Sequence, residues 1–259
     1  MSWIEPVFLT LLGMCLGSFL NVCIFRIPLK KSIINPPSSC PICGERIKYY
    51  DNIPVLSYIL LGGRCRSCGE KISIQYPVVE LATAFFSLAL YFKYGLSFSY
   101  LIWLAVVSSL LIVSFIDLNQ MIIPDLITLP GIGIGFLLSL FLKQISYIES
   151  LIGIIVGGGV LYLIALLFLN LTGRQGMGLG DIKLFAMIGA WLGWRPLPLI
   201  ILISSISGII IGGGALIISG KRLNKKIPFG PFLSLGTIIY ILFGDILLNL
   251  IYGIRLDLT

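Results

Sequence analysis

No histidine occurs anywhere in the chain, and charged residues make up only 11% of it. The first absence removes the side chain that most often carries protons near neutral pH, so acid/base chemistry has to come from other titratable groups. The second removes most of the charge that a soluble domain displays. Acids are scarcest, with 11 Asp and Glu against 18 Lys and Arg. What fills the chain instead is apolar: 58% of its 259 residues, with a mean hydropathy of +1.05. Several uncharged runs approach or exceed the roughly 20 residues that cross a bilayer. Because a lipid-exposed backbone must satisfy its own hydrogen bonds, such runs predict helices, and the fold class expected is an all-α polytopic membrane protein. The chain opens with Glu5 rather than a basic region, and its first apolar run continues to Phe25, which predicts a permanent span rather than a cleaved signal.

Eight spans are read, at roughly 3–25, 77–94, 98–116, 122–142, 150–171, 180–194, 196–219 and 231–252. The sixth is short and contains Gly189 and Gly193, which suits a tilted or re-entrant segment. The chain then divides into a first transmembrane helix (1–25), a polar insert (26–76) and a membrane body (77–259). With the insert in the cytoplasm, that side receives Arg26, Lys30, Lys31, Arg46, Lys48, Arg64, Arg66, Lys71, Arg174, Lys183, Lys221, Arg222, Lys225 and Lys226. Only Lys93, Lys143, Arg195 and Arg255 fall opposite. That asymmetry obeys the positive-inside rule for an even number of crossings, and it brings Asp117 and Asp181 to one membrane face. The net charge of +7 is what this orientation leaves, with a preference for anionic lipid, and requires no nucleic acid.

The insert carries Cys40-Pro41-Ile42-Cys43-Gly44 and Cys65-Arg66-Ser67-Cys68-Gly69, two C-x-x-C pairs with 21 residues between them. This is close to the spacing of a tetrathiolate zinc site, and a glycine after each second cysteine suits the tight turns that present two sulfurs to one ion. The expected role is structural, since four thiolates leave no open coordination position and a segment this small has little core of its own. Disulfides are the alternative, disfavoured in a reducing cytoplasm. Cys15 and Cys23, in the first span, read as buried packing residues.

Two carboxylates at the edges of apolar runs carry the chemistry. Ionised groups near hydrocarbon are costly and usually face a protein interior or a water cavity. Asp181 closes Gly178-Leu179-Gly180-Asp181, where Gly176, Gly178 and Gly180 remove side chains and admit unusual dihedrals or close approach of a substrate backbone. Lys183 follows as a topogenic charge or an electrostatic bias on the site. Asp117 stands where the third span ends, and Asp125 follows Pro124 near the start of the fourth. Either could pair with Asp181; Asp125 is equally suited to complement a helix dipole. A carboxylate pair divides labour, one acid ionised to activate water and one protonated to polarise a carbonyl, which predicts an aspartyl peptidase.

Taken together, Gly17-Ser18-Phe19-Leu20-Asn21-Val22 with Arg26 and Pro28, both C-x-x-C pairs, Tyr76-Pro77-Val78-Val79-Glu80, the Asp117 segment ending in Ile123-Pro124-Asp125, and Gly178-Leu179-Gly180-Asp181 with Lys183 resemble the bacterial type IV prepilin peptidases over nearly the whole length. The resemblance implies that the catalytic pair is Asp117 and Asp181, rather than Asp125. It implies an inner-membrane enzyme that cuts the short basic leader of type IV prepilins or type II secretion pseudopilins after a glycine, at the cytoplasmic face. It also implies that the new N-terminus is methylated with S-adenosylmethionine. No G-x-G-x-x-G follows a strand, so the residues themselves give no donor site. Glu80 reads either as functional or as a first-turn carboxylate, Asn21 as an interhelical hydrogen bond, Arg26 as a snorkelling anchor, and Asp245 carries no assigned role. The competing classes are an ion transporter using buried acids, a non-catalytic pilin-binding assembly factor, and another G-x-G-D protease of the presenilin type. Against the last stand the cysteine insert and the Gly-Ser-Phe-Leu-Asn and Tyr-Pro-x-Val-Glu segments.

Overall fold

A computed structural model of the chain describes residues 3–141, 145–173, 177–214 and 227–252. Among the described residues the regular elements are helices, with no strand beyond two isolated bridges. The helices are α1 (Ile4–Arg26), the short α2 (Leu56–Leu60), α3 (Gln75–Tyr94), α4 (Phe98–Gln120), α5 (Asp125–Phe141), α6 (Tyr147–Thr172), α7 (Leu179–Leu192), α8 (Leu197–Ser207, continued by a π-helical segment Gly208–Gly213) and α9 (Gly230–Tyr252). A helix therefore stands at each of the eight expected spans. Four of them, α1, α4, α6 and α9, are long and apolar enough to cross a membrane; α5 and the α8 segment are shorter. Lys143, Arg174, Gly176, Lys221, Arg222, Lys225, Lys226 and Arg255, used in the charge and motif readings, lie outside the described residues.

The chain forms two compact units, Met1–Ile112 and Val113–Thr259. In the first, α1 and α3 pack without intervening side chains. A Cβ on Gly13 would meet Ala84 Cα at 2.7 Å, and one on Gly17 would meet Glu80 Cα at 2.6 Å, so the two helices run antiparallel. Ser87, fully buried on α3, donates to the Leu9 carbonyl at 3.2 Å and pairs with the Tyr100 hydroxyl at 2.7 Å. The buried stripe of α1 runs through Leu9, Gly13, Gly17, Leu20 and Ile24. Cys23 joins it, but Cys15 does not. Its position between Gly13 and Gly17 turns it to the exposed side of the helix, which corrects the expectation that both cysteines are buried.

In the second unit α7 rests on α6 in the same way. A Cβ on Gly157 would come 2.6 Å from the Phe185 carbonyl oxygen, Gly153 meets Gly189 backbone to backbone, and Ser150 donates to the Ala190 carbonyl at 2.8 Å. On its other side α7 is tied to α5 by Trp191, whose indole N–H donates to the Gly131 carbonyl at 2.9 Å. Short as it is, α7 is almost wholly buried from Leu184 to Ala190, a buried helix set among others.

Candidate active site

Asp117 lies one turn before the C-terminal end of α4 and is only 5% exposed. Its Oδ2 accepts the backbone N–H of Gly230 at 3.0 Å. Gly230 opens α9, so this N–H is among the donors that a helix start leaves without an intrahelical partner. A carboxylate there also meets the positive end of the helix dipole. Asp181 stands at the opposite end of its own helix, α7. It sits in the first turn, 9% exposed, and its Oδ2 accepts the Gly178 N–H at 3.3 Å. Its Oδ1 is buried with no hydrogen-bond partner. Each thus has its charge offset by a helix start while one oxygen of Asp181 stays open for a new partner.

Gly178 and Gly180, the described glycines before Asp181, differ in what they do. Gly178 has an ordinary extended backbone, φ −79° and ψ 148°. Gly180 is needed for close approach, but its neighbour is Ile123: a Cβ there would meet Ile123 Cβ at 2.8 Å. The same isoleucine reaches Gly230, where a Cβ would meet Ile123 Cδ1 at 3.1 Å and Asp117 Oδ2 at 2.7 Å. Ile123 therefore fills the space between the residue preceding Asp181 and the residue bonded to Asp117. Asp125 takes no part in this buried cluster. It is exposed at the first position of α5, and both its oxygens accept from Lys183 Nζ, at 2.7 and 2.8 Å. Of the two candidates, Asp117 is buried as Asp181 is, and Asp125 is exposed.

Gly230 and Ile123 are the members of this cluster that sequence reasoning missed. Pro228-Phe229-Gly230-Pro231 immediately before an apolar run was the available signal, since prolines on either side of a helix start leave the glycine amide as the donor there.

In the first unit the polar insert folds as two near-copies of one turn. Cys40 N–H donates to the Glu45 carbonyl at 2.9 Å and Gly44 N–H to the Cys40 carbonyl at 3.0 Å; the corresponding bonds of Cys65 with Glu70 and of Gly69 with Cys65 are 2.8 and 2.9 Å. Gly44 and Gly69 each have φ +72°, a left-handed conformation that explains the glycine after each second cysteine. The four Sγ atoms of Cys40, Cys43, Cys65 and Cys68 lie within 4.8 Å of one another, Cys40 and Cys68 at 3.9 Å. Tetrahedral Zn–S bonds of about 2.3 Å require sulfurs about 3.8 Å apart, so the donor set fits such an ion. Backbone N–H groups of Cys43 and Ile42 pull the Cys40 thiol down to about 7. The Glu70 N–H acts the same way on Cys68, but desolvation and the three neighbouring sulfurs outweigh it and push that thiol up to about 12. Four sulfurs this close resist ionising together unless a cation joins them. All six cysteines are free thiols.

Glu80 is buried in the second turn of α3 rather than the first. Its Oε2 accepts the Val55 N–H at 2.7 Å. Val55 has φ +60°, a strained region for a β-branched residue, so Glu80 holds a corner of the insert that the chain alone would not adopt. Asn21 donates to the Tyr76 carbonyl at 3.0 Å, the expected interhelical bond. Arg26 donates to the Ser32 and Pro36 carbonyls at 2.9 and 2.7 Å, and so anchors the start of the insert.

Comparison with known proteins fits this arrangement. Residues 11–94 match the family described as Bacterial Peptidase A24 N-terminal domain, and residues 104–213 match the Type IV leader peptidase family. The chain is similar to the prepilin leader peptidase/N-methyltransferase of Pseudomonas putida, at 37% identity over 91% of this chain and 90% of that protein. This chain belongs to the type IV leader peptidase family. The proteins of the same name from Aeromonas hydrophila and Pseudomonas aeruginosa are each 37% identical, covering 95% and 91% of this chain and 93% and 89% of their own lengths. No solved structure matches. The family segment 104–213 contains both acids and Lys183, and the N-terminal segment contains all four clustered cysteines.

Proposed function

We propose that this chain cleaves the leader from type IV prepilins or pseudopilins and methylates the new N-terminus, the two activities named together in its relatives. Family membership makes it an enzyme of the prepilin peptidase and N-methyltransferase class. The observation that supports the residue-level reading is that both Asp117 and Asp181 are buried and that Ile123 lies against both Gly230, bonded to Asp117, and Gly180, next to Asp181. In this reading Asp117 and Asp181 share one proton. The ionised acid takes a proton from water as its oxygen attacks the scissile carbonyl carbon, and the protonated acid gives its proton to the carbonyl oxygen. The resulting diol collapses: one of its hydroxyls returns a proton to the ionised acid, the C–N bond breaks, and the departing amine receives the proton held by the other acid, which restores the shared proton. The roles belong to the pair as a coupled unit.

Eight crossings, an inner-membrane location and an active site at the cytoplasmic face complete the proposal, supported by the apolar helices and the basic-residue asymmetry. A substrate whose own apolar segment lies in the bilayer would then present its leader junction beside the acids. Cys40, Cys43, Cys65 and Cys68 would hold a zinc ion, which supplies folding free energy to the insert rather than an open Lewis-acid position. S-adenosylmethionine is the donor that the resemblance implies. The insert is the part proposed to serve methylation, and no residue is assigned to the donor. Membership of a peptidase family, rather than the buried acids themselves, stands against a transporter or a binding factor. The deciding experiment incubates the purified protein with a prepilin, with and without S-adenosylmethionine, and weighs the products. A mass loss equal to the leader, followed by a methyl increment, is expected; an unchanged prepilin would refute the reading.

A further inference from the structure

The connector from α4 to α5 links the surroundings of the two acids. Its first residue, Met121, has φ +56° and donates its N–H to the Asp117 carbonyl at 2.8 Å. Two residues on, Ile123 packs against Gly180 and Gly230, the neighbours of Asp181 and Asp117. Two residues further, Asp125 is gripped through both oxygens by Lys183, which stands two positions after Asp181 on α7. One five-residue stretch is therefore bound to the α4 end at Asp117, wedged between both glycines, and tied to the α7 turn that bears the second acid.

Resting on the proposed acid pair, we propose that Asp125 and Lys183 are positioning residues of the peptidase: their ion pair clamps the end of this connector to the first turns of α7, and so keeps Ile123 seated and Asp117 in register with Asp181. An exposed ion pair contributes little to global stability, and the side chains of Lys183 and Asp125 are 36% and 54% exposed. The fold does not depend on it. The spacing of two groups that must act on one water and one carbonyl does, because small displacements of reacting groups are amplified in rate. The clamp also accounts for Asp125, which sequence alone leaves as a rival for catalysis: it is occupied by a lysine and touches no buried acid.

The test uses the full-length protein in detergent micelles or liposomes and a purified prepilin, with kcat and KM measured separately. Asp125→Asn and Lys183→Met, both close in volume to the native residues, are each expected to lower kcat by about tenfold to a hundredfold while KM stays within about twofold. The reciprocal exchange Asp125→Lys with Lys183→Asp is expected to recover most of the loss, and Lys183→Arg to recover part of it. Far-ultraviolet circular dichroism and thermal unfolding should be unchanged throughout. Singles that cleave at the native kcat, an exchange no better than the singles, or a rise in KM alone would each overturn the positioning role. Asp117→Asn and Asp181→Asn run alongside: if those retain cleavage, the acid pair itself is wrong; if they are dead while Asp125→Asn is native, only the clamp is.

Discussion

The Gly230 N–H donates to Asp117 Oδ2 at 3.0 Å across 113 residues of sequence, joining the start of the last helix to the first of the two acids. The contact leaves no room for a side chain, since a Cβ on Gly230 would stand 2.7 Å from that same oxygen. Gly230→Ala should therefore displace the carboxylate and lower kcat for prepilin cleavage by about tenfold or more, with the protein still inserted and folded. Steady-state kinetics on the purified variant check this; a native kcat would mean the contact is dispensable.

Asp117→Asn and Asp181→Asn each keep the shape of the side chain and remove its ionisable proton. Cleavage should fall by about a thousandfold or more in either single, and the double variant should be scarcely worse, because groups acting as one unit are not additive. Leader release followed by mass spectrometry measures all three. Activity near native in either single would remove that residue from the pair.

Methyl transfer has no evident use for the acid pair, so an Asp181→Asn enzyme given a precleaved pilin and S-adenosylmethionine should still methylate it. Glu80→Ala, which frees the strained Val55 corner of the insert, should impair methylation more than cleavage. Glu80→Gln should impair it less, since its amide oxygen still accepts the Val55 N–H. Equal loss of both activities in Glu80→Ala would show that the insert serves them alike.

Metal analysis of the purified protein should find about one zinc per chain, reduced by Ser at Cys40, Cys43, Cys65 or Cys68 and unchanged by Cys15→Ser or Cys23→Ser. Because the ligands bind as thiolates, acidification should release the ion, with apparent affinity rising as pH rises. Zinc content independent of all four cysteines would dismiss the site.

Within the insert, the Arg66 guanidinium donates to both oxygens of Asp51 and holds that carboxyl below its ordinary value. A depressed acid contributes stability above its unfolded-state pKa of about 3.9, which is lost as pH falls through the lower folded value. An NMR titration should place the Asp51 midpoint below that of an unperturbed aspartate, and Arg66→Gln should return it. An unchanged midpoint in the variant would assign the shift elsewhere.

Much of this was legible in the sequence, for reasons that differ from residue to residue. The four-cysteine insert announces itself because ligand spacing is local and a glycine with positive φ follows each pair. Asp117 and Asp181 stand out because acids are rare in apolar runs. Which acid stands with Asp181 was left open by the residues themselves and implied as Asp117 by family resemblance: Asp117 and Asp125 are eight residues apart in sequence, and the burial of the one and the Lys183 ion pair of the other are tertiary. Gly230 was missed because a backbone N–H leaves no side-chain signature. That Gly180 makes room for Ile123 was not legible, because the isoleucine comes from a distant segment. Cys15 was misplaced because an apolar residue on a membrane helix is as much at home facing outward as inward.

The backbone-on-backbone seating of α7 against α6 through Gly153, Gly157 and Gly189 bears on how this protein can change over time. Where two helices meet through side chains, a shift on one is absorbed by a rotamer on the other. Here there is no such slack, so the level at which α7 holds Asp181 is fixed by main-chain geometry that substitution cannot tune in small steps. Room for small steps lies instead on the outward surface of α6, where Ile155, Leu163, Leu167 and Leu171 are exposed. That surface can track the lipid of its host while the acid stays where it is.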